Sequence, residues 1–342
     1  MKILFIGLGG IGQRHLRNIK SLYPESEFIA FRSRGSQKII STDLKVTSED
    51  GLEEVHSIKS FNNIDEALAC KPFATIISNP SGMHVLPAIE AMKSGSNVFI
   101  EKPISSSMES VYPLLEIERQ LDLTTMVGFQ LRFNPLILKI KEMLSNEVIG
   151  KLMSVRAEVC EYMPWFHRYE DYRNIYASKK SLGGGVVLTQ IHEIDYLINL
   201  FGMPTSVSSV GGKKSSLEID VEDNVDILMN IKDIGVFLHM DYLQKEKKRR
   251  GVIYGEHGRI EYDLVNLELK LIRSDKTEDF EWHNFERNEM FLSEMKMFIE
   301  NSKLKKPTPM NFEDGSRSLR VAEAIKKSMT EKVLVNIEKT LN

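Results

Sequence analysis

A glycine-rich turn near the N-terminus joins a short apolar strand to a helix with one apolar face. The strand is expected at residues 2–6, and the turn follows as Gly7-Leu8-Gly9-Gly10-Ile11-Gly12. Leu16, Ile19 and Leu22 then recur at helical spacing. In such a turn the first glycine allows a tight bend, the second lets the backbone approach a pyrophosphate, and the third lets helix and strand pack closely. The pattern favours dinucleotide binding, although glycine-rich turns also occur for packing alone.

Apolar strands and helical segments then alternate up to residue 144, which is typical of a doubly wound α/β sheet with parallel strands. Strands are expected at residues 27–31, 56–61, 74–78, 98–100 and 124–127. Helices are expected at residues 63–69, 85–93, 108–121 and 136–144. Residues 35–54 are polar and give no clear pattern.

The pattern changes after residue 150 to strands with short connections, which indicates a mostly antiparallel sheet. Strands are expected at residues 152–162, 206–210, 224–231, 236–242, 251–254, 259–262 and 267–272, with helices at 184–201, 289–301 and 312–327. We therefore predict a Rossmann domain at residues 1–125 and an α+β domain with a large, open, mostly antiparallel sheet at residues 126–342. The basic run at residues 245–250 is expected to be a solvated turn between two strands.

Charge and composition bound the partners of this chain. It has 342 residues, with 45 Lys and Arg against 48 Asp and Glu, a net charge of -3 that favours neither nucleic acid nor an anionic membrane. No apolar run approaches the ~18 residues of a membrane span, and no signal peptide is expected. Cys70 and Cys160 lack metal-ligand spacing, so we expect buried free thiols in a cytoplasmic protein and no metal site. A sheet face without helices would be apolar, which predicts a homodimer or homotetramer through that sheet.

A second feature is the abrupt end of the strand at residues 98–100, which stops on Glu101, Lys102 and Pro103. Ligands of open α/β sheets bind outside the carboxyl ends of the strands. Pro103 has no N–H and restricts Lys102 to an extended backbone, so an acid and a base are held at the mouth of that crevice. The alternative is a solvated strand end.

The residues after the second strand bear on the choice of cofactor. A site that prefers NAD places an acid about 20 residues beyond the glycines, to hold the ribose 2′-hydroxyl. That place is taken here by Arg32, Ser33 and Arg34. Two arginines and a serine suit a 2′-phosphate, so the sequence favours NADP over NAD. The alternative is two arginines on a surface loop.

Several stretches together resemble the Gfo/Idh/MocA family, the glucose-fructose oxidoreductase and inositol dehydrogenase group. They lie, in family order, at residues 3–15, 79–95, 97–103, 128–135, 183–195 and 312–328. The resemblance implies an NAD(P)-dependent oxidoreductase acting on a sugar, a cyclitol or a nucleotide sugar. It also implies a Rossmann domain joined to a domain with a large open sheet that is often used for contacts between subunits.

The resemblance carries a catalytic pair onto Lys102 and His192, the latter in His192-Glu193-Ile194-Asp195. A histidine can take the hydroxyl proton near neutral pH while hydride leaves to the nicotinamide, and a lysine can stabilise the developing alkoxide. Asp195 lies i+3 from His192 and is expected to orient the imidazole. Relatives usually carry an aspartate where this chain has Leu188, so the alternative is a cofactor-binding regulator of the same fold without turnover.

The remaining expected contacts are of two kinds. For the cofactor they are Gly7, Gly9, Gly10, Ile11, Gly12, Arg32, Ser33, Arg34, Asn79, Pro80, His84, Glu101, Lys102 and Gln130, although His84 is as well explained as a helix cap. For the substrate they are Lys102, Arg132, Trp165, His167, Arg173, Tyr176, Thr189 and His192. Aromatic rings stack on sugar faces, and His167 and Arg173 suit an anionic group. This predicts a nucleotide sugar or an acidic sugar of bacterial surface-glycan synthesis, the alternative being a hydrophobic flap on the second domain.

Overall fold

The fold is known from a computed structural model, which describes residues 1–32, 38–41, 45–166 and 168–337. Six parallel strands form the first sheet: β1 (Lys2–Ile6), β2 (Glu27–Phe31), β5 (Lys59–Phe61), β6 (Ala74–Ile77), β7 (Asn97–Glu101) and β8 (Thr125–Gly128). Between β2 and β5, two short strands pair with each other, β3 (Ile39–Ile40) and β4 (Val46–Ser48). The spatial order is β5-β2-β1-β6-β7-β8. The crevice therefore opens where β1 and β6 meet, because the strand order reverses there.

Helices flank this sheet between its strands. They are α1 (Gly10–Leu22), α2 (Leu52–His56), α3 (Ile64–Ala69), α4 (Val85–Lys93), α5 (Met108–Gln120) and α6 (Pro135–Ser145). The side chains of Asn63, Ser107 and Asn134 cap α3, α5 and α6 by accepting backbone N–H groups. The prediction of a strand from residue 56 was wrong, since α2 extends to His56 and Ser57 ends it in a left-handed conformation.

Nine strands form the second sheet: β9 (Leu152–Cys160), β10 (Ser206–Gly212), β11 (Asn224–Ile231), β12 (Ile234–Asp241), β13 (Lys248–Gly255), β14 (Gly258–Asp263), β15 (Glu268–Arg273), β16 (Thr277–Glu281) and β17 (Val335–Asn336). Their order is β16-β15-β14-β13-β9-β12-β11-β10-β17. All neighbours pair antiparallel except β9 and β12. The two sheets confirm the predicted fold class.

Four further helices complete this half: α7 (Val186–Thr189), α8 (His192–Phe201), α9 (Asn288–Leu304) and α10 (Phe312–Glu331). The single helix predicted at residues 184–201 is divided at Gln190 and Ile191, so that His192 begins α8. Helix α9 packs on α1, and α10 packs on β10 and α5. Both C-terminal helices therefore contact elements of the first sheet. In the part of the chain described, no helix has the length and apolarity needed to cross a bilayer.

Candidate active site

The glycine turn has the shape that a dinucleotide pyrophosphate requires. A Cβ on Gly7, which has a φ of +94°, would lie 2.6 Å from the backbone nitrogen of Asn79, and one on Gly12 would lie 2.3 Å from the carbonyl of Gly7. A Cβ on Gly9 would meet nothing within 4 Å. Close packing thus explains two glycines and leaves the third facing open space at the start of α1. Because the first turn of α1 has no acidic residue and its N–H groups lack helical partners, the turn suits an anion.

His84 joins the segments that follow β6 and β7. Its Nδ1 lies 2.9 Å from the carbonyl oxygen of Pro103 and its Nε2 lies 2.7 Å from that of Asn79. His84 is the N-cap residue of α4, as the capping interpretation expects, but its side chain makes no hydrogen bond to the helix. It is 1% exposed, and its expected contact with the cofactor stays a prediction. Burial lowers the pKa of His84, and its hydrogen bonds to the two carbonyl oxygens oppose that shift.

Lys102 reaches from the end of β7 to the second half of the chain. Its Nζ donates to the carbonyl oxygen of Thr189 at 2.7 Å, three residues before His192. Its backbone N–H donates to Glu101 Oε2 at 3.1 Å. The ammonium therefore lies beside the start of α8, as the position of Lys102 at a strand end predicts.

His192 is buried, and its partner is Gln130. Gln130 Nε2 donates to His192 Nε2 at 3.0 Å, whereas sequence analysis expected Gln130 at the cofactor. His192 Nδ1 and Gln130 Oε1 have no hydrogen-bond partner among the described residues. Burial, followed by the charges of Lys102, Arg249 and Arg287, lowers the pKa of His192 well below its ordinary value. The imidazole is therefore neutral at pH 7.

The expected role of Asp195 requires correction. Arg132 Nε donates to Asp195 Oδ2 at 2.9 Å, and Arg132 Nη2 donates to Oδ1 at 2.6 Å. Arg132 Nη1 lies 2.6 Å from Asp314 Oδ2 as well. Both oxygens of Asp195 are thus occupied by a bidentate ion pair, and no contact joins them to His192. Since its guanidinium is held by two carboxylates, Arg132 is also a poor candidate for substrate binding.

Arg249 is a residue of the site that sequence reasoning missed. It belongs to the basic run predicted to be a solvated turn, but it lies inside β13 with its side chain only 14% exposed. Arg249 Nε lies 2.6 Å from Glu193 Oε1, and Arg249 Nη2 donates to Oε2 at 3.1 Å. Glu193 follows His192 directly, so this ion pair fixes the start of α8. The sequence did contain one signal for this pair. Glu193 stands next to His192, and a carboxylate that is buried there needs a cationic partner.

The structure describes most of the predicted substrate segment at residues 162–176. The ring of Trp165 is 46% exposed and packs edge-to-face on Tyr162, with centroids 5.3 Å apart. Arg173 is bound by Asp171 and Glu218, so it is not available for a substrate anion without losing them. Tyr176 is half-buried, and the turn at residues 180–182 that follows contacts the turn at residues 81–83, beyond β6. The segment thus borders the crevice, while the prediction for His167 lies outside the described residues.

The residues after β2 are described only up to Arg32. Its Nη1 donates to Glu53 Oε1 at 3.0 Å, and the Arg32 side chain is 8% exposed. The carboxylate of Glu53, on α2, therefore lies beside the end of β2, where the sequence itself places no acidic residue. The predictions for Ser33 and Arg34 lie outside the described residues.

A parallel sheet with an open glycine turn, and a lysine and a histidine beyond its strand ends, defines a dinucleotide-dependent oxidoreductase class. Residues 1–129 match the oxidoreductase family with an NAD-binding Rossmann fold, and residues 137–261 match the C-terminal domain of the same GFO/IDH/MocA family. The chain therefore belongs to the Gfo/Idh/MocA family of oxidoreductases, which confirms the resemblance seen in the sequence.

Similar proteins match the chain over about two thirds to all of its length. The chain is 27% identical to myo-inositol 2-dehydrogenase of Thermotoga maritima over 353 residues, covering 100% of both chains. It is 22% identical to glucose-6-phosphate 3-dehydrogenase of Bacillus subtilis, covering 68% of this chain and 65% of the relative. Levoglucosan dehydrogenase in complex with NADH superposes with a TM-score of 0.84 at 17% identity, covering 98% of this chain and 99% of that one. The last similarity concerns the fold alone.

Proposed function

We propose that the chain transfers hydride between a nicotinamide cofactor and a secondary alcohol or ketone of a sugar or cyclitol. The observation that carries the proposal is the meeting of Lys102 with the start of α8, through the bond of its Nζ to the Thr189 carbonyl at 2.7 Å. This contact brings an ammonium and the neutral imidazole of His192 together beyond the strand ends. Family relatives named dehydrogenases of inositol and of a sugar phosphate support the same chemistry.

The residues of the site divide the proton chemistry between them. The bound nicotinamide supplies the acceptor for the hydride that leaves the alcohol carbon. Lys102 donates a hydrogen bond to the substrate oxygen and stabilises its alkoxide charge as the C–H bond breaks. His192 takes the hydroxyl proton on a free ring nitrogen, and the O–H electron pair forms the carbonyl. In the reverse direction the same proton returns to the oxygen.

Gln130 controls whether His192 has a free basic nitrogen. As the amide stands, Gln130 Nε2 donates to His192 Nε2 and the proton of the neutral ring is on Nδ1, so the ring takes up a further proton only by giving up the bond to Gln130. A half-turn of the amide makes Oε1 the acceptor of an Nε2–H and frees Nδ1 as the base. Gln130 thus takes over the orientation of the imidazole that the sequence assigned to Asp195.

A substrate panel with a matched lysine control tests the proposal. The panel contains myo-inositol, scyllo-inositol, glucose, glucose 6-phosphate and levoglucosan, each with NAD and NADP, read by absorbance of the reduced nicotinamide. We expect turnover of at least one compound, lost in Lys102→Met and kept in Lys93→Met, whose side chain is 59% exposed. Tight cofactor binding without turnover over a broader panel that includes acidic and nucleotide sugars would favour the regulator instead.

The finer proposal is that the substrate carries an acidic group, as an acidic sugar or a nucleotide sugar of surface-glycan synthesis does. Three cations, Lys102, Arg249 and Arg287, lie close enough to His192 to lower its pKa. A positive field at the reacting centre favours an anionic substrate. We expect kcat/KM for a sugar phosphate or sugar acid to exceed that for its neutral parent and to fall with rising salt. A higher kcat/KM for the neutral parent at low salt would contradict this.

For the cofactor we propose a preference for NADP(H), carried by Arg32 at the end of β2. A charge-assisted hydrogen bond to the 2′-phosphate is worth ~1.5–3 kcal/mol, or roughly ten- to a hundredfold in affinity. Glu53 competes for the same guanidinium, so Glu53→Gln should strengthen NADP(H) binding and Arg32→Asp should shift the preference towards NAD(H). Calorimetric titration of both cofactors measures this, and tighter NAD(H) binding by the unmodified chain would refute it.

We also propose that the chain assembles as a homodimer or homotetramer through the second sheet, in the cytoplasm. The side chains along β11 alternate between buried and exposed, and Leu228 is left 56% exposed. Phe237, which is opposite it on β12, is 39% exposed. Covering such apolar residues favours association. Both cysteines are unpaired, which suits a reducing compartment. A monomeric mass by light scattering at micromolar concentration would contradict the assembly.

A further inference from the structure

Three ionisable side chains from distant parts of the chain meet at the end of β7. They are His15 of α1, Glu101 of β7 and Glu294 of α9, and we call them the buried carboxyl cluster. One nitrogen or oxygen atom of each lies within 4.8 Å of those of the other two. His15 and Glu294 are 0% exposed and Glu101 is 7% exposed. The proposed catalytic Lys102 is the next residue after the cluster.

Each oxygen of the Glu101 carboxylate accepts one hydrogen bond, which leaves it able to accept more. Its Oε1 accepts from His15 Nε2 at 2.6 Å, and its Oε2 accepts from the backbone N–H of Lys102 at 3.1 Å. These two bonds suit an ionised carboxylate, which accepts only. They also tie the position of the Lys102 backbone to that of Glu101.

Glu294 has the opposite environment. Neither of its oxygens has a hydrogen-bond partner among the described residues. Burial raises the pKa of Glu294 well above its ordinary value, and the charge of Glu101 raises it further. A second buried carboxylate at this distance, without a cation of its own, is far more costly than a neutral acid.

We propose that Glu294 is a neutral carboxylic acid that donates a hydrogen bond to the Glu101 carboxylate and thereby positions Lys102. The donor reaches Glu101 by a small side-chain rotation or through one bridging water. Glu294 is thus a positioning residue that acts through Glu101, and this part of the inference rests on the proposed function. The protonated state of Glu294 does not rest on the proposed function, because it follows from the burial of Glu294 and the nearby charge of Glu101.

Burial and the charge of Glu101 are the two causes that shift the pKa of Glu294, and the titratable groups on the elements packed around it are as follows. Helix α9 packs on α1, on the turn at residues 130–133 and on β8. Helix α1 contributes His15, which is in the cluster, and Arg14, whose guanidinium lies 4.8 Å from the ring centroid of Phe291. The turn contributes Arg132, which is bound to Asp195, and Arg287 precedes α9. Arg17 and Lys20 of α1 donate to backbone carbonyls, and β8 carries no titratable side chain.

Two neutral variants of similar size separate a hydrogen-bond donor from simple filling of space. Glu294→Gln keeps a donor, whereas Glu294→Met does not. We expect kcat of Glu294→Met to be at least tenfold below that of Glu294→Gln, with equal cofactor affinity and equal thermal stability. Equal kcat in the two variants would overturn the positioning role.

Two measurements that need no substrate test whether Glu294 is protonated. The infrared spectrum at pH 8 should contain the C=O stretch of a protonated carboxylic acid, absent from Glu294→Gln. In denaturant unfolding, the unfolding constant of the unmodified chain relative to Glu294→Gln should rise with pH above about pH 5, by up to tenfold per pH unit, until the pH reaches the raised pKa of Glu294 in the folded chain. The sign follows because the folded chain keeps a proton that the unfolded chain releases above its ordinary pKa.

Other results would refute the inference that Glu294 is protonated. Identical infrared spectra for the two proteins, or parallel pH dependences of unfolding, would show that Glu294 is ionised. One equivalent of tightly bound metal, present in the unmodified chain and lost in Glu294→Gln, would show that a cation occupies the cluster. An inactive protein with the expected infrared band would refute the proposed function and leave the neutral acid standing.

Discussion

The ion pair between Arg249 and Glu193 gives the sharpest quantitative prediction. The Glu193 side chain is 0% exposed, and Arg249 is its cationic partner at 2.6 Å. Arg249→Met keeps most of the side-chain volume but leaves a carboxylate in the interior without its guanidinium. Breaking a buried pair in this way destabilises a protein by ~3–5 kcal/mol. We expect the free energy of unfolding at pH 7 to fall by about that amount.

The cost should depend on pH in a definite direction. Burial already raises the pKa of Glu193, and Arg249 opposes the shift. Without Arg249 the carboxyl takes up a proton in the folded state that the unfolded state releases above its ordinary pKa. The variant should therefore lose stability, relative to the unmodified chain, as the pH rises from 5 to 8. Adding Glu193→Gln should recover part of the loss, because no charge is then left unpaired.

Arg259→Met is the matched control. Arg259 lies on the neighbouring strand β14 and pairs with Glu261 at 2.7 Å, but these side chains are 44% and 38% exposed. An exposed pair of this kind contributes ~0–1 kcal/mol. Urea unfolding of both variants at pH 5, 7 and 8 measures the difference. If Arg249→Met cost no more stability than Arg259→Met, burial would not be what makes the first pair costly to break.

Three other predictions concern the crevice. Gly9→Ala should leave stability unchanged and weaken cofactor binding at least tenfold by calorimetry, whereas Gly12→Ala should cost ~1–3 kcal/mol of stability in urea, since its Cβ would strike the Gly7 carbonyl. Because burial lowers the pKa of His84, the folded chain binds fewer protons below about pH 6.5, and stability falls as the pH drops; His84→Gln should lose less stability between pH 7 and pH 5. Asp195→Asn should lower stability by ~2–4 kcal/mol through Arg132 and leave the pH profile of kcat unchanged, whereas a shifted profile would restore its expected role beside His192.

Most strands of both sheets were predictable because their apolar runs are local signals, whereas β16 and β17, which have no such run of useful length, were not predicted. The runs at residues 27–31 and 224–231 have the same bounds in the structure. The division between α7 and α8 could not be predicted, since residues 184–201 keep one helical period across Gln190 and Ile191. The placement of Arg249 was missed for a different reason. A basic run is typical of a solvated segment, and its burial depends on Glu193, which is 56 residues away in the chain.

The same limit explains the errors within the site. The strand end at Lys102 and the glycine turn were found from local patterns, because strand polarity alone brings them to one edge of a sheet. The hydrogen-bond partners of each side chain could not be found in this way, since Gln130 and His192 are 62 residues apart and His15 and Glu101 are 86 residues apart. Asp195 was assigned to His192 because i+3 spacing was the only geometry the sequence offered.

The contacts that complete the site all join one half of the chain to the other. Lys102 bonds to Thr189, Gln130 to His192, and Glu101 lies beside Glu294. Each contact joins a group at the carboxyl end of a parallel strand to a helix or turn of the later chain. On the roles proposed for these residues, the first sheet carries the glycine turn but holds neither the proposed base, His192, nor the proposed acid, Glu294. Helices α8 and α9 both contact the turn at residues 130–133. We therefore expect variants that loosen these contacts to lower kcat more than cofactor affinity.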